Sequence, residues 1–216
     1  MPSLTFLPDA ATFAQFAVAT FIIALTPGPD MTLFVGRALS EGRAAGMACM
    51  AGALTGVVIH TTLVALGLSA LIVASPQAFL TLKIVGAAYL VWLALQAIMK
   101  GSAFSPDATK RKPRSLLKNW MTGIGINLLN PKIILFFMTF LPQFVSAHDP
   151  HAPAKLFFLG LCFIPLSLPI VVPMVLAADR FAGLLRKSPR VTRIVDWLFA
   201  GVFSAFAAKI LLTQAK

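Results

Sequence analysis

Charge is scarce in this sequence. Only 12% of its 216 residues are Asp, Glu, Lys or Arg, 58% are apolar, and the mean hydropathy is +0.87. Soluble domains carry about 25% charged residues, so the composition excludes a soluble globule and implies an integral membrane protein. Acid is scarcer still, with 7 Asp and Glu against 18 Lys and Arg and a net charge of +11. The sequence lacks a GxxxxGK[ST] phosphate loop, which removes ATP hydrolysis as its own energy source. It also lacks clustered His and carboxylate ligands for a metal and any plausible hydrolytic triad, so neither an enzyme nor a cofactor is expected. No basic residues precede the first apolar run and no small-residue cleavage pattern follows it; the first helix is expected to stay in the mature protein.

What the sequence has is long apolar windows. At about 20 residues per bilayer crossing, they predict six helices, over 10–36, 46–74, 78–99, 119–144, 154–178 and 195–214. The uncharged run from Ala44 to Leu82 is too long for one span, and Ser75-Pro76 is its natural break because proline denies the preceding residue a helical conformation. Basic residues gather in three alternate connections: Arg37 and Arg43; Lys100, Lys110, Arg111, Lys112, Arg114 and Lys118; and Arg180, Arg186, Lys187, Arg190 and Arg193. The positive-inside rule places these connections in the cytoplasm and both termini outside. The run Lys110–Arg114 resembles a nucleic-acid patch in composition, but its place beside a span makes orientation the better reading, and no nucleic acid partner is expected.

Three helices followed by three more place the second half upside down relative to the first. The expected fold is therefore all-α, with six transmembrane helices as two inverted three-helix repeats over 1–110 and 111–216. Helices 1 and 4 are both interrupted, by Thr26-Pro27-Gly28-Pro29-Asp30 and by Asn127-Leu128-Leu129-Asn130-Pro131-Lys132. A helix broken at membrane depth survives only where protein or a water-filled cavity satisfies its backbone, so matched breaks point to a solute site. Pro27 and Pro29 lack N–H groups and free the carbonyls of Ile23 and Leu25, which attract a cation, while Gly28 permits an unusual backbone. Pro29 suits the first position of a restarted helix whose N-terminus attracts an anion.

Pro131 likewise frees the carbonyl of Asn127; Asn127 and Asn130 add amides and Lys132 a cation that complements Asp30. A lone charge at the bilayer centre costs about 2.5 to 3.5 kcal/mol, which favours function for both, although a structural ion pair or a helix cap by Asp30 fits the same residues. Pro27, Gly28, Pro29, Asp30, Asn127, Asn130, Pro131 and Lys132 are thus the expected substrate-binding set for a zwitterionic solute. Asp30 is the first candidate for proton coupling and His60 the second, although a lone histidine in a helix is more often a packing residue.

These segments resemble the LysE/RhtB family of bacterial amino-acid exporters. The likeness lies in TPGPDMTLFVGRALSEGRAAGMACMAGALTG from Thr26, LKIVGAAYLVWLALQAI from Leu82 and NLLNPKIILFFMTFLPQF from Asn127. The resemblance implies a multi-pass protein of the cytoplasmic (inner) membrane that exports amino acids or related metabolites, driven by the proton gradient. Its expected partners are an amino-acid-like solute, protons and the lipid bilayer, with a second copy of the chain as a candidate.

Other features have plainer readings. Ala48, Gly52, Gly56 and His60 form a row on helix 2 that suits close helix packing. Pro165, Pro169 and Pro173 share one face of helix 5 and are expected to kink or loosen it. Lys83 and Lys209 suit snorkelling at helix ends, and Tyr89 and Trp92 suit packing. His148, Asp149 and His151 share one loop and read as an exposed turn. Two alternatives remain: a transmembrane thiol-disulfide electron carrier using Cys49 and Cys162, which sit in equivalent helices, or a structural membrane protein.

Overall fold

The computed structural model of the chain describes residues 7–75, 112, 114–146 and 149–187, with single positions between 77 and 109 and between 190 and 205. The expected third and sixth spans, 78–99 and 195–214, lie largely outside the described residues, as do Lys83, Tyr89, His148 and Lys209. All regular structure among the described residues is helical, with seven α-helices and no strand.

α1 (Ala10–Leu25) starts at Asp9, whose carboxylate accepts the Thr12 N–H at 2.9 Å and the Thr12 hydroxyl at 2.6 Å. Thr26, Pro27 and Gly28 separate it from α2 (Pro29–Glu41), and the two axes differ by 50°. Gly42, at φ +99, turns the chain into α3 (Arg43–Ala74), which stops one residue before Ser75-Pro76. α4 (Leu116–Leu128) is capped by the Ser115 hydroxyl, and a break at Leu129 and Asn130 leads into α5 (Pro131–Leu135). A π-helical turn (Phe136–Phe140) and a 3-10 turn (Leu141–Phe144) continue α5, and this half-span is bent 54° from α4. α6 (Ala152–Leu176) and α7 (Ala178–Lys187) complete the described elements.

α3 and α6 are each long and apolar enough to cross a membrane alone, and the bent pairs α1–α2 and α4–α5 qualify if each is one span, giving two to four candidate spans. α3 is the hub, packed against α4, α6 and α2, while α1 lies on α6. The glycine row sets this closeness: a Cβ on Gly52 would collide with the Trp120 carbonyl, and one on Gly123 with the Cys49 carbonyl. Two apolar clusters result. One joins α1, α3, α6 and the π-turn around Phe16, Phe136, Phe137, Phe140 and Phe163; the other joins α2, α3, α6 and α7 around Met31, Val35, Cys49 and Met174.

The π-turn has a packing reason. Its wider i→i+5 spacing, closed by the Leu141 N–H on the Phe136 carbonyl, turns Phe136, Phe137 and Phe140 inward together, with Phe136 and Phe140 rings 5.2 Å apart.

One detail differs from the sequence reading, and one adds to it. The charges of residues 178–187 read as a basic connection, yet the segment forms α7, because Ala178 and Ala182 bury one face while Asp179 and Arg180 stay exposed. The three prolines expected to kink or loosen α6 all lie on its exposed face, opposite its buried positions, and the helix is continuous from Ala152 to Leu176.

Candidate functional site

The two breaks meet. Asp30, the second residue of α2, accepts a 2.7 Å hydrogen bond from Asn127 Nδ2 at the end of α4. Lys132, the second residue of α5, donates from Nζ to the carbonyls of Ile23 (3.1 Å) and Thr26 (2.7 Å) at the end of α1. Each restarted helix therefore sends a charged side chain to the terminus of the other broken helix. The local sequence dictates this placement. Proline sets the first position of each half-helix, so the next residue projects back toward the break from which the chain has just turned.

The cation at the freed carbonyls of α1 is thus the chain's own Lys132, which takes Ile23 and Thr26 rather than Ile23 and Leu25. No Asp30–Lys132 ion pair forms within 4.0 Å among the described residues. Ammonium carries three donors, so two carbonyl bonds leave Lys132 one more. Gly28 makes room for this arrangement, because a Cβ there would lie 3.2 Å from Lys132 Nζ and 3.3 Å from its Cε. Asn130 caps the second break with its own side chain, accepting the Lys132 N–H at 3.1 Å.

A cavity of about 50 Å³ lies beside the breaks, with Asp30, Asn127 and Lys132 in its wall. Asp30 Oδ1 and Asn127 Oδ1 are buried and have no protein partner, and neither has Asn130 Nδ2. Pro27, Gly28, Pro29, Asn130 and Pro131 do not line the cavity; they shape the backbone around it. His60 stands behind Asn127: its Nε2 lies 3.4 Å from the Asn127 carbonyl, and its ring stacks on Phe137 at 5.8 Å. Gly56, one turn earlier on α3, lets Asn127 approach, since a Cβ there would meet Asn127 Oδ1 at 2.5 Å. Thr26 is a site residue that the sequence reading passed over; its carbonyl holds Lys132 and its hydroxyl donates to the Ile22 carbonyl at 2.8 Å.

A second polar cluster was also not anticipated. At the far end of α2, Glu41 pairs with Arg37 and accepts from the Arg114 N–H (2.9 Å) and Asn119 Nδ2 (3.2 Å), joining α2 to the start of α4. The thiols give no sign of a pair. Cys49 is buried beside Asn119, Sγ to Oδ1 3.7 Å, in one cluster, and Cys162 packs against the other; both are free. Ahead of α6, Asp149 accepts from Lys155 at 2.5 Å and from the His151 N–H at 2.8 Å, and the lysine hydrogen bond holds its carboxyl below the usual range. No group of three metal-ligating side chains occurs among the described residues.

Two broken half-helix pairs that meet at a buried acid, amide and ammonium are an arrangement suited to a membrane translocator. The family model described as LysE type translocator matches residues 21–214, and the chain belongs to that family. It is 30% identical over 204 residues to the homoserine/homoserine lactone efflux protein of Salmonella typhimurium, covering 94% of this chain and 96% of the relative. It is 26% identical over 214 residues to the leucine efflux protein of Klebsiella pneumoniae, covering 94% and 100%. An uncharacterized membrane protein of Vibrio cholerae is 28% identical over 210 residues, covering 96% and 99%. No solved structure matches the chain.

Proposed function

We propose that this protein is a secondary transporter that exports amino acids from the cytoplasm, driven by the proton gradient. The chain is read as two inverted three-helix repeats, 1–110 and 111–216, with both termini outside. Family membership and relatives named for homoserine and leucine efflux support the solute class. The observation that carries the site is the crossed bracing of the breaks, Asp30 to Asn127 and Lys132 to Ile23 and Thr26, beside one cavity.

The unpartnered oxygens of Asp30 and Asn127 offer two acceptors for an α-ammonium. The remaining Lys132 donor and the first N–H groups of α2 offer donors for an α-carboxylate. A zwitterion adds one charge of each sign beside one protein charge of each sign, so neither solute charge is buried uncompensated. The cavity of about 50 Å³ is small beside ordinary ligand clefts of roughly 300–1,000 Å³. Solute entry therefore requires the two bent pairs to separate, and the crossed bonds between them are what must stretch or exchange. That links occupancy to movement of one repeat against the other.

Proton coupling is assigned to Asp30, which exchanges a proton for the solute ammonium, with His60 as a second group reached through Asn127. Asn127 meets His60 with its backbone carbonyl and Asp30 with its side chain, so one residue joins both candidates.

The test is an efflux screen across neutral, basic, acidic and sulfur-containing amino acids in cells overexpressing the protein, with and without a protonophore. The reading expects faster export of at least one amino acid and its loss with the protonophore. Export of none contradicts it, and export indifferent to the protonophore removes the coupling.

A further inference from the structure

We infer that the cavity has a second, apolar arm that takes the solute's side chain, and that this arm selects amino acids with aliphatic or thioether side chains over charged ones. This rests on the proposed function and adds a substrate class to it. Met31 of α2, Met50 of α3 and Met174 of α6 converge on the same cavity wall as Asp30, together with Phe34 and Phe163. Each methionine is at most 5% exposed, so the three belong to the interior and do not face lipid.

The polar and apolar ends are separated along α2. Asp30 marks the break, Met31 follows it, and Phe34 lies one turn further on, packed with Met50 and Met174 in the cluster that reaches Ala38. An amino acid whose ammonium meets Asp30 and Asn127 extends its side chain into this cluster. Among the described lining residues the only charges are Asp30 and Lys132, both at the breaks. Of the two uncharged polar side chains in the wall, Asn127 lies at the break with Asp30, and Ser167 donates its hydroxyl to the Ile164 carbonyl of its own helix at 3.0 Å. A lysine or glutamate side chain placed here has no partner of opposite charge, and an unpaired charge in such surroundings is strongly disfavoured.

Methionine is the adaptable choice for such a wall. Unbranched, with three rotatable bonds and a polarizable thioether, it re-packs around side chains of different length. Three of them on three helices give a site that rejects charge but tolerates a range of apolar shapes.

The test is counterflow in proteoliposomes with L-leucine, L-methionine, L-glutamine, L-lysine and L-glutamate, comparing wild type with Met50→Gln and Met174→Gln, near-isosteric changes that add a polar amide to the wall. In wild type, leucine and methionine are expected to move at least about tenfold faster than lysine or glutamate, within the range that pocket contacts provide. Each glutamine variant is expected to raise glutamine export relative to leucine about fivefold or more, on the same reasoning that a polar group lowers the penalty for a polar side chain. Thermal melts of each variant in detergent, at equal protein density in the vesicles, control for folding. Transport of lysine or glutamate at the leucine rate, or no change of preference in either glutamine variant, removes the apolar arm while the exporter reading stands. Transport of none of the five also removes the apolar arm, and the exporter reading then falls only if the wider efflux screen finds no exported amino acid.

Discussion

The two helix breaks occupy corresponding places in the two halves of the chain, yet they solve the same problem with opposite chemistry. The first supplies the acid, Asp30, and leaves its cap position to Gly28, which has no side-chain cap. The second supplies the base, Lys132, and caps itself with Asn130. Beyond the first break the chain resumes as a regular 13-residue helix, α2, whose far end Glu41 ties to Arg114 and Asn119. Beyond the second it resumes as five residues of α-helix that widen into a π-turn packed on phenylalanines. Both breaks restart on a proline, while the charge at each follows from what the opposite terminus offers. Ile23 and Thr26 present carbonyls to a cation, and the amide of Asn127 presents a donor to an anion.

The strongest way to break the comparison is to exchange the charges, with Asp30→Lys and Lys132→Asp together. A simple ion pair survives such an exchange. Here each charge is matched to a helix terminus, so the exchanged protein places a carboxylate against carbonyls and an ammonium at a helix N-terminus. Export is expected to fall about a hundredfold, equivalent to roughly 3 kcal/mol for an uncompensated buried charge. Recovery of wild-type export would reduce the site to an exchangeable pair.

Asn127→Ala comes next, because it removes the bond to Asp30 and leaves the carboxylate without its donor. Hydrogen bonds to charged groups contribute about 1.5–3 kcal/mol, so export rates are expected to drop about tenfold or more, with the protein still present in the membrane by immunoblot.

Gly28→Ala perturbs the first break more gently. The added methyl meets only the flexible end of Lys132, and Gly28 sits at an extended φ of −172, so backbone strain does not arise. Solute affinity is expected to weaken about threefold, a shift of roughly 0.6 kcal/mol on the tenfold-per-1.4 scale, with little change in melting temperature.

The smallest effects should come from the second cap. Asn130→Gly copies the first break's cap and is expected to lower stability by a few tenths of a kcal/mol, whereas Asn130→Ala removes the cap at about 1 kcal/mol. Thermal melts in detergent compare both with wild type, and no loss in either variant would show that the cap hydrogen bond at 3.1 Å contributes nothing.

The breaks were legible because proline and aspartate inside an apolar window violate helix rules locally, and such violations need no partner to be seen. The close packing along Ala48, Gly52 and Gly56 was legible for a similar reason, since spacing alone puts small residues on one face. The destination of Lys132 was not. Sequence complementarity points it at Asp30, and only the crossing of the two half-helices puts the α1 carbonyls nearer. The convergence of Met31, Met50 and Met174 is equally invisible, because it depends on how three helices rotate against one another. α7 was hidden by its own charge: arginine and lysine read as a cytoplasmic connection, while the short Ala178 and Ala182 stripe carries little hydrophobic signal.

The proposed solute site stands or falls with the crossed breaks. The direct measurement is leucine export from proteoliposomes containing wild type, Asp30→Asn or Lys132→Gln at equal protein density. Both variants keep their shape and lose one charge, so well-inserted protein with export reduced about a hundredfold is expected in each, as one member of a buried charged set is removed. Wild-type export rates in both variants would contradict it.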